Sequence, residues 1–225
     1  MNILVIKASV NEKKGSYSSA LNDKFIEFYK EKHPHDTFKF FDLNKEKVGL
    51  TPLTGENLKE FKFWQEVDSD KWIDLLKWAD KVVFSTSMTN FHYSAPAKNF
   101  IDAISVNNKT FVYDKASDSY SGLLSNVKNV QFLLAQGAPK DWYPWGNLAN
   151  SLRETFAFLG MHIHNKPIVL AGTKVAPNNQ LSIAEYLKQF EEEIKQLSLI
   201  LISEPTRHLR TWYAVVCFRQ QAMSS

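Results

Sequence analysis

Three short polar stretches carry the residues whose types and spacing suit chemistry. The first runs from Ser9 to Ser18 and ends in Gly15-Ser16-Tyr17-Ser18-Ser19, just before a helical pattern. Hydroxyls and free backbone N–H groups at a helix N-terminus favour an anion such as a phosphate. The same residues would also serve as a plain cap at Ser18 or Ser19. The second stretch is Ser87-Met88-Thr89-Asn90-Phe91-His92-Tyr93-Ser94, and the third is Gln136 to Gly146, which holds Gly137, Trp142 and Trp145. Several chemistries are absent from these stretches. Neither GxxxxGK[ST] nor GxGxxG occurs, which argues against a Walker site and a dinucleotide fingerprint. No GxSxG elbow appears. The lone Cys217 lies outside all three stretches, so a cysteine-dependent phosphatase is disfavoured. His162 and His164 alternate on an expected strand without carboxylate or Cys partners at metal spacing, so no metal site is expected.

The elements that must position these stretches follow from hydrophobic pattern. Residues 2–6 (NILVI), Thr37–Leu43, Lys81–Ser85, Asn129–Ala135 and His162–Leu170 read as strands, several of them apolar throughout, as in a parallel sheet covered on both faces. Helical spacing covers Leu21 to Tyr29, ended by His33-Pro34, and then a segment carrying Phe61, Trp64, Trp72, Leu75, Leu76 and Ala79. Further helices are expected from Ala95-Pro96 to Ile104, over Leu148–Leu159 with Gly160 as stop, and over Leu181–Leu197. Thr110–Tyr113 followed by DKASDSYSG reads as a hairpin excursion. Strands alternating with helices imply an α/β fold: a flavodoxin-like, doubly wound, five-stranded parallel sheet of order 2-1-3-4-5 with helices on both faces. In that architecture ligands bind beyond the carboxyl ends of the strands, which gathers the three stretches into one place.

Composition bounds the class. The chain has 225 residues, 44% hydrophobic and 23% charged, which fits a soluble globular domain. No run of about 18 apolar residues occurs, and MNILVIKAS turns polar too soon for a signal peptide; a reduced, cytoplasmic setting without membrane contact is expected. Residues 1–197 hold 24 basic and 23 acidic side chains, so nothing electrostatic favours nucleic acid. The C-terminal segment differs. All 23 Lys precede residue 196, whereas Arg207, Arg210, Arg219 and Cys217 follow it. Residues 1–197 therefore read as the domain and residues 198–225 as an extension foreign to it, although LSLILI and WYAVVCF have the composition of native strands.

The second stretch carries a resemblance. Met88-Thr89-Asn90-Phe91 is similar to the M-x-N-F loop of the FMN-dependent NADH-azoreductases, flavoenzymes related to quinone reductases. Lys98-Asn99-Phe100-Ile101-Asp102 resembles the helix that follows it there. Thr110-Phe111-Val112-Tyr113, Ser121-Gly122-Leu123 and Phe156 to Gly160 resemble the family's T-F-x-Y, E-G-L and F-x-F-x-G segments, and Ser9 with Ser16-Tyr17-Ser18 its phosphate loop. The resemblance spans about residues 2–197. It departs in the third loop, where the family's S-R-G-G is Ala135-Gln136-Gly137-Ala138, without hydroxyl or guanidinium.

The resemblance implies an FMN-dependent NAD(P)H oxidoreductase that reduces quinones and azo compounds by two-electron, ping-pong hydride transfer. It implies FMN phosphate on Ser9, Ser16, Tyr17 and Ser18. The ring would lie along Met88, Thr89, Asn90 and Phe91, with its pyrimidine end against Gln136, Gly137 and Ala138. It implies a homodimer, with Tyr113 and Phe158 facing the site across the interface and Asn90 and Phe91 on the acceptor side. No protein general base is expected, because the chemistry belongs to the flavin. NADH is the expected donor over NADPH, since no basic cluster marks a 2′-phosphate pocket. The competing readings are a flavodoxin-like electron carrier, a non-catalytic flavin-binding relative, and a hydrolase, the last lacking a nucleophile triad or metal cluster.

Overall fold

The computed structural model describes residues 1–11, 15–143 and 145–200. The extension expected from Ser198 lies outside the described residues beyond Ile200.

The strands β1 (Asn2–Lys7), β2 (Thr37–Asp42) and β3 (Lys81–Thr89) are joined by β4 (His92–Tyr93), β5 (Phe111–Asp114), β6 (Ser119–Gly122), β7 (Asn129–Ala135) and β8 (Ile168–Leu170). The helices are α1 (Tyr17–Lys32), α2 (Lys47–Leu50), α3 (Lys62–Glu66), α4 (Ser69–Trp78), α5 (Ala95–Ile104), α6 (Leu148–Phe158), α7 (Ile183–Lys188) and α8 (Glu191–Ile200). Five strands form one parallel sheet in the order β2-β1-β3-β7-β8, the expected 2-1-3-4-5 order. Every residue of β7 is buried, as are the first seven of β3, because helices cover both faces. Leu4, Ile6, Val82, Phe84 and Phe132 face a core shared with α4, α5 and α6. Ile3, Val5, Val83 and Leu133 face Phe25, Tyr29, Tyr186 and Ile194 of α1, α7 and α8. The excursion is a separate two-stranded antiparallel hairpin, β5–β6, as its turn-rich sequence predicts.

Four expected boundaries are corrected. Strand β3 does not stop at Ser85 but runs to Thr89, since Thr86 and Ser87 pair with Leu134 and Ala135 of β7. The stretch Ser87–Ser94 is therefore a hairpin end, not a free loop. The fifth strand is only Ile168–Leu170; upstream of it the backbone N–H of His164 donates to the Asn129 side chain (3.0 Å). The helix expected through Phe61 and Trp72 is two helices: Phe61, at φ +57°, precedes α3, and Asp68, whose φ of +52° no helix tolerates, separates α3 from α4. The last helix is also two, α7 opened by a Ser182–Glu185 capping box.

At the edge of the sheet opposite the strands' carboxyl ends, Asp36 accepts from the N-terminal ammonium (2.6 Å) and from the Tyr29 hydroxyl (2.7 Å). Burial works against the ionised carboxyl, but these bonds and the charges of the N-terminus and His33 outweigh it and hold Asp36 below its ordinary pKa. A depressed carboxylate stabilises the fold above its unfolded pKa of about 4, and that stability is lost as pH falls through the folded value. Asp36→Asn is thus expected to lower Tm at neutral pH, with the gap to the parent closing as acid protonates the folded carboxyl; a constant gap across pH would refute this.

Candidate functional site

The loops after β1, β3 and β7 meet beyond the carboxyl ends of the central strands, as the fold requires. Helix α1 begins there. Ser16 is its N-cap, accepting from Ser19 N (3.2 Å), so the capping role falls on Ser16 rather than on Ser18 or Ser19. The Ser16 hydroxyl donates to Ser9 Oγ at 3.0 Å and lies 3.4 Å from Ser18 Oγ. These three hydroxyls are buried, and the first turn of α1 contains no acidic residue. The floor is fastened across loops. The Ser94 hydroxyl, which caps α5, donates to Ala8 O and lies 3.1 Å from Thr86 Oγ1, and Asn44 Nδ2 donates to Ser9 O (2.6 Å).

The second stretch is built by strain. Met88 pairs with Tyr93 and Thr89 with His92, leaving Asn90 and Phe91 as a two-residue turn with φ of +48° and +73°. Two left-handed residues in succession match the twist of a tight hairpin, but a Phe there is costly and is held only by its surroundings. Phe91 packs edge-on against Tyr143 (4.8 Å between centroids) and near Trp145 (6.3 Å) of the third loop. Asn90 and Phe91 stay exposed at the rim. Tyr93 is not poised as a base: burial, then the charge of Asp102, holds its hydroxyl above the ordinary range.

The third loop is braced from within and from a fourth loop. Gln136 Nε2 donates to Ala138 O (3.1 Å) and Pro139 O (3.0 Å), so its side chain is engaged by its own loop. The segment after β8 continues the pairing with bonds from Gly172 N to Ala138 O (2.7 Å) and from Lys174 N to Gly137 O (3.0 Å).

These loops enclose an open cavity of about 240 Å3 lined by Tyr17, Ser18, Met88, Asn90, Gly137 and Lys174 among others. A larger cavity of about 680 Å3 beside β2 shares Val10 and Asn11 with it, and one of about 320 Å3 shares Gln136. The smaller, central one sits at the switch point and is lined by residues of all three loops, Ser18 of the hydroxyl cluster among them, so we place the site there. The donor set fits a flavin mononucleotide. Uncharged hydroxyls at the N-terminus of a long helix suit a phosphate monoester, no carboxylate among the described residues lines the cavity to oppose it, and Met88, Ala135 and Gly137 offer apolar or small surface to a flat ring.

The Flavodoxin_2 family model, a flavodoxin-like fold, matches residues 1–194. The chain belongs to this family. It is 56% identical over 198 residues to a Mesomycoplasma hyopneumoniae (strain J) protein named FMN-dependent NADH:quinone oxidoreductase, covering 88% of this chain and 98% of that protein. Two solved structures share the fold. An azoreductase from Bacillus anthracis str. Sterne has a TM-score of 0.72 at 24% identity, covering 88% of this chain and 98% of that one. An FMN-dependent NADH-azoreductase from Bacillus anthracis str. Ames Ancestor, in complex with FMN, has 0.66 at 22% identity, covering 90% and 99%.

Within the family fold, the expected site residues divide. Tyr17, Ser18, Met88, Thr89, Asn90, Gln136 and Gly137 line the cavity, while Ser9 lines the adjoining one and Ser16 lies buried beneath. Ala138 lies outside the lining, its carbonyl taken by Gly172 and Gln136. Phe91 turns toward Tyr143 instead of into the cavity. Tyr113 and Phe158 sit apart from the cavity, in an aromatic cluster with Phe111 and Tyr120 whose outer face is exposed. The expected site residues omitted Val10, Asn11, Ser87, Ala135, Thr173 and Lys174. The signal for the last two was the loop after the fifth parallel strand, which the topology brings beside the third. Among the described residues no helix is long and apolar enough to cross a membrane, and no group of three or more His, Cys, Asp or Glu could hold a metal. His162 and His164 stack at 5.7 Å, and His164 is held below its ordinary pKa by burial first and then by His162.

Proposed function

We propose that residues 1–197 form an FMN-dependent NADH:quinone oxidoreductase that also reduces azo compounds, acting as a cytoplasmic homodimer. The observation that carries this reading is the buried Ser9–Ser16–Ser18 hydroxyl cluster at the start of α1, whose Ser18 lines a cavity walled by Met88 and Gly137 and whose Ser9 lines the cavity adjoining it. The 56% identical relative bears that activity in its name. Bound FMN supplies the hydride relay between NADH and the acceptor.

The chain's own residues bind and orient. The serines and the free N–H groups of α1 would take the phosphate, with Tyr17 lining the same cavity. The Met88–Asn90 strand end lies along the ring, and Asn90 offers its amide to the ring edge. Gly137 lets the third-loop backbone approach closely. Phe91, packed edge-on against Tyr143 and Trp145, forms the outer wall where donor and acceptor exchange. Because both would use one place, double-reciprocal plots at several quinone concentrations should be parallel; intersecting lines would count against ping-pong turnover. Phe91→Ala is expected to lower acceptor turnover about tenfold, the worth of a lost aromatic contact, with FMN affinity within about threefold of the parent. Unchanged turnover would take Phe91 out of the site. The exposed cluster of Tyr113, Tyr120 and Phe158 is the proposed subunit interface, since patches of that kind mark association surfaces.

The deciding experiment is the visible spectrum of the purified protein with added FMN, then with NADH without oxygen. Flavin bands that bleach on NADH support the reading. Bands that persist favour an electron carrier, and no bound flavin refutes both.

A further inference from the structure

We propose that Lys174 tunes the redox balance of this site, its ammonium stabilising the negative charge that a flavin ring acquires on reduction. The inference rests on the FMN reading above. Among the described residues lining the cavity, Lys174 is the single charged side chain. The third loop carries no cation of its own before Lys140, which lies outside this lining.

Its placement is built rather than incidental. Thr173 N and Thr173 Oγ1 both donate to Gln136 O (3.3 and 3.1 Å), and Lys174 N donates to Gly137 O (3.0 Å). The lysine stem then crosses Gly137 so closely that a Cβ on that glycine would stand 2.8 Å from Lys174 Cδ and 3.1 Å from Cγ. Gly137 thus serves a second purpose, since a side chain there would push the flexible lysine stem aside from this path across the loop. Among the described residues no carboxylate lies within ion-pair distance of Lys174.

The chemistry supplies a use for that charge. Hydride leaving NADH carries two electrons and one proton, NAD+ departs, and the neutral ring gains one negative charge, localised at its pyrimidine end. In the proposed orientation that end lies against Gln136 and Gly137, beside Lys174, while the phosphate lies across the cavity on the serines. The lysine therefore acts little on the oxidised ring and strongly on the reduced one, which is the differential interaction that shifts an equilibrium. Lys174 is exposed, so water screens the interaction and the effect is moderate.

The test uses the full chain loaded with FMN. With Lys174→Met, reduced FMN should be held about tenfold less tightly relative to oxidised FMN, a midpoint potential lower by about 30 mV for a two-electron couple. Affinity for oxidised FMN should stay within about threefold of the parent, and the potential difference should shrink with added salt. Lys174→Arg should restore the potential. Gly137→Ala, which keeps the lysine but pushes its stem aside, should shift the potential in the same direction. An unchanged potential in Lys174→Met overturns the proposal. So does a tenfold loss of oxidised FMN affinity with riboflavin affinity unaffected, which would assign the lysine to the phosphate. Failure of the parent protein to bind FMN would overturn the FMN reading itself, and is distinguished by titrating the parent first.

Discussion

Ser16→Asp is expected to remove FMN binding while leaving the fold intact. Ser16 does two things at once: it caps α1 by accepting from Ser19 N, and it holds the hydroxyl cluster through Ser9 and Ser18. Aspartate is as good a cap as serine, and its charge is favourable at a helix N-terminus. Its second oxygen can accept from the Ser9 or Ser18 hydroxyl, so the buried carboxylate would be hydrogen-bonded. The same charge would stand beside the phosphate of FMN. Two like charges about 4 Å apart at an effective dielectric near 20 repel by about 4 kcal/mol, so FMN affinity should fall by at least about a hundredfold. Riboflavin, which lacks the phosphate, should lose far less. Thermal melting gives the fold and fluorescence titration the two affinities. A Tm within about 2 °C of the parent together with unchanged FMN affinity would reduce the serines to a helix cap and remove the main support for the cofactor reading.

The contrast between this loop and the rest of the site shows where sequence is informative. Apolar runs such as NILVI and NVQFLLA declare strands buried on both faces, and their alternation with helical patterns implies a doubly wound parallel sheet, whose element count suits the 2-1-3-4-5 order. The continuation of β3 through Thr86 to Thr89 is hidden because Ser-Thr-Ser-Met-Thr is polar enough to read as loop; it is strand only because β7 lies beside it. Asp68 breaks the helix between α3 and α4 at a left-handed φ without a Gly or Pro to announce it. In the site, serines near a helix start are legible because the chemistry and the local structure coincide. Lys174 was not legible. One lysine among 23 carries no signal until the pairing of β7 with β8 sets its loop on Gly137. Tyr113 and Phe158 illustrate a third case. Their types suggest a wall, yet within one chain they pack with Phe111 and Tyr120, away from the cavity.

That cluster depends on a contact between two glycines, and Gly160→Ala is expected to be among the most destabilising single substitutions in the domain. Gly160 ends α6 at φ +95°, and a Cβ there would stand 2.7 Å from Gly122 C and 2.8 Å from Gly122 O. From the other side, a Cβ on Gly122 would fall 2.0 Å from Gly160 N. The backbones of the β5–β6 hairpin and the α6 terminus therefore touch directly, with Leu124 N donating to Leu159 O (2.9 Å) alongside. Alanine at position 160 carries a left-handed backbone cost of about 1–2 kcal/mol and a steric cost of about 1–3 kcal/mol, since the opposing atoms are main chain and cannot swing away. For a domain of this size, about 3 kcal/mol lowers Tm by about 6–12 °C. Gly55→Ala is the matched control, since a Cβ there meets nothing within 4 Å and its φ is ordinary; it should be neutral or slightly stabilising. The hairpin also carries the exposed rings of Tyr113 and Tyr120 next to Phe158. If that face joins two subunits, forcing the glycines apart moves one half of the aromatic surface against the other, and sedimentation should show the dimer dissociating at higher protein concentration than the parent. A lowered Tm with unchanged dimer affinity would mean that the glycine contact anchors the hairpin to its own chain only, and the subunit interface would have to be sought on another face.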